Sequence, residues 1–262
     1  MAGIRFGPSG LGGKKDAIKN LEKMHEAGLK ACEIAFTYGV YLKKDDAIEI
    51  GKSAEELGIL LSIHAPYFVN LNSAEKAKVE ASKKRILACC EAGHYLAGKE
   101  NVRIVFHPGY YGKMEKEEAY ENIKNIILEI KEKVDEKRWR VDLCVETMGK
   151  VNVFGSIEEI SKLVRDTGIM ACIDFAHILA RYGKYEFDMI KKGFKGKKWH
   201  CHFSGIVYGE KGEKHHKLTE KNEWEEVLNF LEKLNKDVVI VNESPDPFGD
   251  AVAGLKIWEG MR

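Results

Sequence analysis

The chain has 262 residues and a formal charge of +1, because 42 lysines and arginines nearly balance 41 aspartates and glutamates. This balance excludes an overall attraction to polyanions, so any nucleic-acid surface must be local. No apolar stretch approaches the roughly 18 residues that cross a membrane, and the N-terminal residues lack a signal-peptide pattern, so we expect a cytoplasmic protein.

Short β-rich segments alternate with longer amphipathic segments along the whole chain. The predicted strands are 3–7, 31–36, 59–64, 102–107, 140–146, 170–174, 198–203 and 238–243. The predicted helices are 14–26, 45–57, 74–97, 115–134, 156–166, 185–192, 222–234 and 250–259. Eight strand–helix units without a flexible linker predict an α/β fold, a closed (β/α)8 TIM barrel that forms a single domain over residues 1–262.

The cysteines show no metal-binding or disulfide pattern. No two of them form a C-x-x-C pair, and four lie inside predicted strands, where a free thiol packs as a small buried hydrophobe. We therefore expect all six to be reduced: Cys32, Cys89, Cys90, Cys144, Cys172 and Cys201.

Six of the predicted strands end in a residue type that binds metal ions. These residues are His64, His107, Glu146, Asp174, His202 and Glu243. The carboxyl ends of all strands open on the same face of such a barrel, so the six side chains should converge there. Because clustered buried carboxylates are unfavourable without a cation, the pattern predicts a metal site.

Two histidines alternate along the seventh predicted strand. His200 and His202 are two positions apart, so their side chains share one face of the strand. His202 lies nearer the carboxyl end, where the site should form. We therefore predict that His202 binds metal and that His200 supports it from behind.

Further ligand types follow the sixth and seventh strands. Asp174 and His177 form a D-x-x-H motif, which we expect in a loop just past strand six. Glu213, His215 and His216 lie in the long segment after strand seven, where a simple turn would need no imidazoles. Glu213 and His215 are predicted ligands, and His216 is a predicted supporting group.

The number and type of these residues indicate the metal chemistry. A catalytic zinc takes three or four protein ligands, so eight or nine candidates correspond to two or three ions. Imidazole and carboxylate without thiolate favour zinc or manganese over magnesium or calcium. Two ions roughly 3.5 to 4 Å apart are typical of enzymes that hydrolyse phosphoesters.

The ordered motifs HAPYFVNL, FHPG, ETM, IDFAH, HFSG, EKHH and NESP resemble the endonuclease IV family of apurinic/apyrimidinic-site repair enzymes. The resemblance covers the third to the eighth strand, and the first two units fit the same barrel. It implies a zinc-dependent hydrolase that cuts double-stranded DNA on the 5′ side of an abasic site and leaves a 3′-hydroxyl. We expect a monomer with up to three zinc ions, with manganese as an alternative at one position.

The resemblance also implies roles for individual residues. Glu146 would bridge two ions, and Glu146 and Glu243 would be the catalytic carboxylates. Tyr67 and Phe68 match the family's pair of residues that enters the DNA at the lesion. The three implied ligand sets are His64, His107 and Glu146; Glu146, Asp174, His202 and Glu243; and His177, Glu213 and His215.

The chain departs from the family pattern at three places. The family has an aspartate where this chain has Glu213, and Asn-Asp where it has Ser204 and Gly205. The loop after strand two lacks the family's DNA-inserting arginine and carries Tyr38 and Tyr41 instead.

Two other functions remain open from the sequence. A sugar isomerase or epimerase of the xylose-isomerase-like group would share Glu146, Asp174, His202 and Glu243 as a site for one divalent ion. One bound metal would favour that enzyme, and three would favour the nuclease. A DNA-binding protein with structural zinc is disfavoured, since such sites are usually rich in thiolates and local in sequence.

Overall fold

The structure is a computed structural model that describes residues 3–262. Its strands are Ile4–Pro8 (β1), Ala31–Ala35 (β2), Leu60–His64 (β3), Val102–Phe106 (β4), Val141–Glu146 (β5), Met170–Asp174 (β6), Lys198–Phe203 (β7), Gly205–Gly209 (β8), Gly212–Lys217 (β9) and Asp237–Asn242 (β10). Its helices are Ala17–Glu26 (α1), Lys44–Leu57 (α2), Lys76–Leu96 (α3), Lys116–Lys137 (α4), Ile157–Thr167 (α5), Phe175–Tyr182 (α6), Phe187–Gly193 (α7), Lys221–Glu232 (α8) and Pro247–Gly260 (α9).

Eight parallel strands form the barrel, and the predicted fold is confirmed. They are hydrogen-bonded in the order β1-β10-β7-β6-β5-β4-β3-β2. Between β1 and β2, the Lys30 amide donates to the Phe6 carbonyl at 3.0 Å and the Gly10 amide donates to the Glu33 carbonyl at 2.8 Å. A Cβ on Gly7 would lie 1.8 Å from the Ala31 carbonyl oxygen, so this close approach requires glycine.

The strands are buried because helices cover the outside of the barrel. All five residues of β4 are buried, as expected for a parallel strand with both faces covered. Helix α5 begins as predicted, since Ser156 and Glu159 form a reciprocal capping box. It ends at Gly168, which adopts the left-handed conformation that favours glycine at a helix end.

The segment after β6 is a helix, and the predicted loop is wrong. Helix α6 starts directly after Asp174, whose Oδ1 accepts a hydrogen bond from the His177 amide at 2.7 Å. Aspartate is a good N-cap residue, and its carboxylate stabilises the free amides of the first turn. The D-x-x-H motif is therefore held rigidly at the barrel mouth.

The segment after β7 folds into the antiparallel hairpin β8–β9, which the sequence did not predict. The hairpin lies beside α6, where Ile206 packs against Ala176 and Ala180. At its turn, Gly212 pairs with Lys150 of the loop after β5. These contacts bring Glu213 and its neighbours over the barrel mouth.

All six cysteines are buried and unpaired, as predicted. Within residues 3–262, no helix combines the length and the apolar character that crossing a membrane requires.

Candidate metal centre

The carboxylate of Glu146 lies at the centre of the polar cluster at the barrel mouth. It is fully buried at the end of β5. Its Oε2 lies 3.1 Å from Nε2 of His64 and 3.1 Å from Nε2 of His107. Its Oε1 lies 3.2 Å from Nδ1 of His177 and 3.4 Å from Nδ1 of His202. The two oxygens of one side chain therefore face two different groups of imidazoles.

The ring of His64 has a defined orientation. Its Nδ1 lies 2.7 Å from the Ala65 carbonyl oxygen, which can only accept a hydrogen bond. In the protonated ring Nε2 also donates, to Oε2 of Glu146 at 3.1 Å. Loss of that proton leaves a neutral ring with its proton on Nδ1 and its lone pair on Nε2. This is the arrangement in which a histidine binds metal through Nε2.

Two groups of side chains bring ligand atoms within 4.8 Å of one another and share Glu146. In the second group, Nδ1 of His202 lies 3.4 Å from Oε2 of Glu243. His107 and Glu243 follow the last residues of β4 and β10, so their side chains leave the ends of the strands. The two groups are His64, His107 and Glu146, and Glu146, Asp174, His202 and Glu243.

The geometry of these atoms fits a metal ion. Zinc binds imidazole nitrogen and carboxylate oxygen at about 2.0 to 2.2 Å, so two ligands on a tetrahedral ion lie about 3.3 to 3.6 Å apart. The distances from Glu146 to the imidazoles, 3.1 to 3.4 Å, are close to this spacing. In addition, Oε1 of Glu146, Oδ2 of Asp174 and Nδ1 of His202 are buried without a hydrogen-bond partner. Buried polar atoms of this kind need a partner, and a cation can supply it.

Burial and neighbouring charges shift the pKa values of several side chains in the cluster. Burial opposes ionisation of Glu243, but the neighbouring His202 lowers the Glu243 pKa to about 2. Burial also opposes protonation of His64, but the hydrogen bond and charge of Glu146 raise its pKa to about 9. Burial raises the pKa of Asp174. Protonated imidazoles thus balance the carboxylates in the metal-free protein, and binding of a metal ion would release those protons.

The residues predicted for a third ion are only partly together. Nδ1 of His177 lies 3.0 Å from the Thr147 carbonyl oxygen, and its Nε2 lies 3.4 Å from Oε2 of Glu213. Glu213 and His177 are thus placed side by side, as the resemblance implies. These two residues do not form a group of three ligand atoms within 4.8 Å with any other described residue.

The expected placement of His215 is wrong. Lys214 is an extra residue in β9, because Tyr208 pairs with Glu213 whereas Val207 pairs with His215. This bulge reverses the alternation of side chains, so His215 is exposed on the outer face. His216 instead faces the site, with its ring centroid 5.7 Å from that of His177.

His200 is fully buried beside His202 and contacts Glu33, a residue that the sequence analysis did not single out. Its Nε2 lies 3.0 Å from Oε2 of Glu33, and burial lowers its pKa to about 4. Glu33 is fully buried in β2. The available signal was a lone carboxylate in the apolar run ACEIAF, since an unpaired acid is almost never fully buried.

Exposed aromatic side chains lie beside the cluster of histidines and carboxylates. Tyr67 is 57% exposed and Phe68 is 37% exposed, on the loop after β3. The Tyr67 ring lies 6.4 Å from that of Tyr38, which is 82% exposed. Tyr67, His64 and Glu146 line one pocket of about 250 Å³. The exposed aromatic side chains and the candidate metal ligands therefore open onto the same pocket.

A family model described as xylose isomerase-like TIM barrel matches residues 21–260. The chain belongs to this family. The endonuclease IV-type resemblance seen in the sequence is consistent with it. An uncharacterised protein of Methanocaldococcus jannaschii is 36% identical over 273 residues, which cover 98% of this chain and 97% of that protein.

The other proteins that this chain resembles include both a nuclease and an epimerase-like protein. An apurinic-apyrimidinic endonuclease of Caenorhabditis elegans is 34% identical over 124 residues, which cover 45% of this chain and 30% of that protein. A D-tagatose 3-epimerase-like protein superposes with a TM-score of 0.74 at 21% identity, covering 98% of this chain and 96% of that chain. SacUVDE superposes with a TM-score of 0.70 at 17% identity, and the superposition covers 95% of this chain and 87% of that chain. These two structures establish the shared fold, and they do not distinguish between its activities.

Proposed function

We propose that the protein is a zinc-dependent endonuclease that hydrolyses the phosphodiester on the 5′ side of abasic sites in double-stranded DNA. The observation that carries this proposal is the position of Glu146, whose Oε2 faces the imidazoles of His64 and His107 and whose Oε1 faces those of His177 and His202. One carboxylate shared between two such groups is suited to bridging two ions.

The proposed chemistry follows from two neighbouring cations. When bound, two ions roughly 3.5 to 4 Å apart neutralise a phosphodiester, activate a water and stabilise the leaving oxygen. In this chain, Glu146 would offer one carboxylate oxygen to each of the two ions. Oδ1 of Asp174 accepts the capping bond from the His177 amide, whereas its Oδ2 is buried without a hydrogen-bond partner. Glu243 would complete the second ligand group.

The surroundings of the site favour an extended, anionic substrate with exposed bases. Lys150, Lys211 and Lys214 are exposed around the hairpin turn, and none of them takes part in an ion pair among residues 3–262. They could contact phosphates locally although the whole chain is nearly neutral. Tyr67 and Phe68 present an aromatic surface beside the site. Their side chains could fill the space that a flipped-out nucleotide leaves in the duplex.

The proposal is tested with purified protein and a duplex that contains one abasic site. Elemental analysis should give two to three metal ions per chain, mostly zinc, since only two of the implied ligand groups are complete. Cleavage should occur on the 5′ side of the lesion and leave a 3′-hydroxyl, and an intact duplex of the same sequence should not be cut. A protein that carries its metal but leaves the abasic duplex uncut contradicts the proposed activity.

A sugar epimerase or isomerase is the second candidate. It is favoured by one observation, that Glu146, Asp174, His202 and Glu243 form a four-residue ligand group without the other histidines. Such a group suffices for a single ion that polarises a ketose. One ion per chain, together with interconversion of a ketose and its epimer, would support this candidate over the nuclease.

A further inference from the structure

Glu33 lies outside both ligand groups but touches one of their members. It belongs to β2, a strand that supplies no residue to either group. Its Oε1 lies 2.9 Å from Nε2 of His202. Both atoms are buried, and neither forms a well-directed hydrogen bond in the described part of the chain. At 2.9 Å, they lie within hydrogen-bonding distance of each other.

The opposite oxygen of Glu33 is held by two further side chains. The Ser62 hydroxyl donates to Oε2 of Glu33 at 2.8 Å, and Nε2 of His200 lies 3.0 Å from the same oxygen. Nδ1 of His200 lies 3.5 Å from Nη1 of Arg103. Since arginine can only donate, Nδ1 of His200 accepts, and the proton of that ring lies on Nε2. Glu33 is thus an acceptor toward His200 as well as toward Ser62.

We infer that Glu33 is a positioning residue, which holds the proton of His202 on Nε2 so that the Nδ1 lone pair faces the metal centre. The inference rests on the metal binding of the proposed function. An ionised carboxylate only accepts, and Glu33 lies 2.9 Å from Nε2 whereas the carboxylates beside Nδ1 lie 3.4 Å away, so Nε2 is the nitrogen that keeps its proton when a metal ion binds. In a neutral imidazole the other nitrogen is then the metal ligand. The acidic group that orients a metal-binding histidine typically contributes 10 to 100-fold to metal affinity.

The first test uses zinc affinity, measured by competition with a chromophoric chelator. Glu33→Gln keeps the shape but offers one acceptor oxygen where the carboxylate offers two, so one surrounding donor meets an NH2 group. We expect one zinc ion to bind about 10 to 100-fold more weakly. Glu159→Gln is the matched control, because Glu159 caps α5 and contacts none of the ligand groups. The control should bind zinc within about twofold of the parent.

The second test needs no substitution at Glu33, so it remains decisive if Glu33→Gln does not fold. Long-range proton–nitrogen correlation of the zinc-loaded parent reports which ring nitrogen carries the proton, and His202→Asn identifies the His202 signals. We expect a proton on Nε2 and zinc on Nδ1. A proton on Nδ1 overturns the inference.

The outcomes separate this inference from the proposed nuclease function. Zinc affinity of Glu33→Gln equal to that of the control overturns the role of Glu33 while the nuclease proposal stands. Weaker zinc binding by Glu33→Gln in a parent that does not cut abasic DNA supports Glu33 and contradicts the nuclease. A parent that binds no divalent metal overturns both.

Discussion

The substitution Glu146→Gln tests most directly whether one carboxylate serves both ligand groups. In the structure both oxygens are used, since Oε2 lies 3.1 Å from two imidazoles and Oε1 lies 3.4 Å from Nδ1 of His202. A glutamine keeps only one oxygen, and its NH2 group is no metal ligand. Whichever way the amide turns, one ligand group loses an oxygen and both lose the shared negative charge.

The expected magnitude follows from that double loss. Metal binding and activation of the water would both suffer, so we expect cleavage to fall at least about a hundredfold. A hundredfold loss corresponds to about 2.7 kcal/mol of activation free energy. Glu243→Gln changes only the second ligand group, so it should retain more metal than Glu146→Gln.

The assay is single-turnover cleavage of an abasic duplex, with metal content measured on the same sample. Glu159→Gln is again the control, because it removes a partly buried carboxylate away from the ligand groups. It should cleave at the parent's rate. Cleavage by Glu146→Gln close to that of the parent, with metal content unchanged, would refute the reasoning.

Three further predictions concern the metal, the aromatic pair and the hairpin. Chelation should abolish cleavage and lower the melting temperature in a thermal scan, because clustered carboxylates repel one another without cations, and an unchanged melting temperature would count against a metal centre. Replacing Tyr67 and Phe68 with alanine should weaken binding to abasic duplex by roughly 1 to 3 kcal/mol per lost stacking contact, with metal content unchanged. The measurement is the affinity for abasic duplex relative to intact duplex at fixed salt. If the double variant prefers abasic duplex as strongly as the parent does, the aromatic pair only packs the loop. His216→Ala should reduce cleavage more than His215→Ala, since only His216 faces His177, and the reverse order in the same assay would show that the bulge does not determine which histidine acts.

Much of the site could be predicted because it depends on local patterns and a regular topology. An apolar run that ends in histidine, aspartate or glutamate is visible in the sequence, and a barrel brings all such strand ends to one face. This reasoning predicted that Glu146, His202 and Glu243 converge, and their side chains lie together at the barrel mouth. The buried cysteines were likewise predicted from short-range chemistry.

The remaining features depend on contacts between segments that are far apart in the chain. The bulge at Lys214 arises from how β9 pairs with β8, and it alone decides that His216 replaces His215 at the site. The role of Glu33 requires β2 and β7 to face each other across the barrel interior, where its carboxylate meets His200 and His202.

The sequence by itself therefore determined the alternation of strands and helices and the polar residues at the strand ends, because local periodicity and turn chemistry encode both. Only the tertiary structure decided how those residues are oriented. Side-chain direction in a bulged strand and the proton position on a buried imidazole are set by partners across the barrel, and no short stretch of the chain contains those partners.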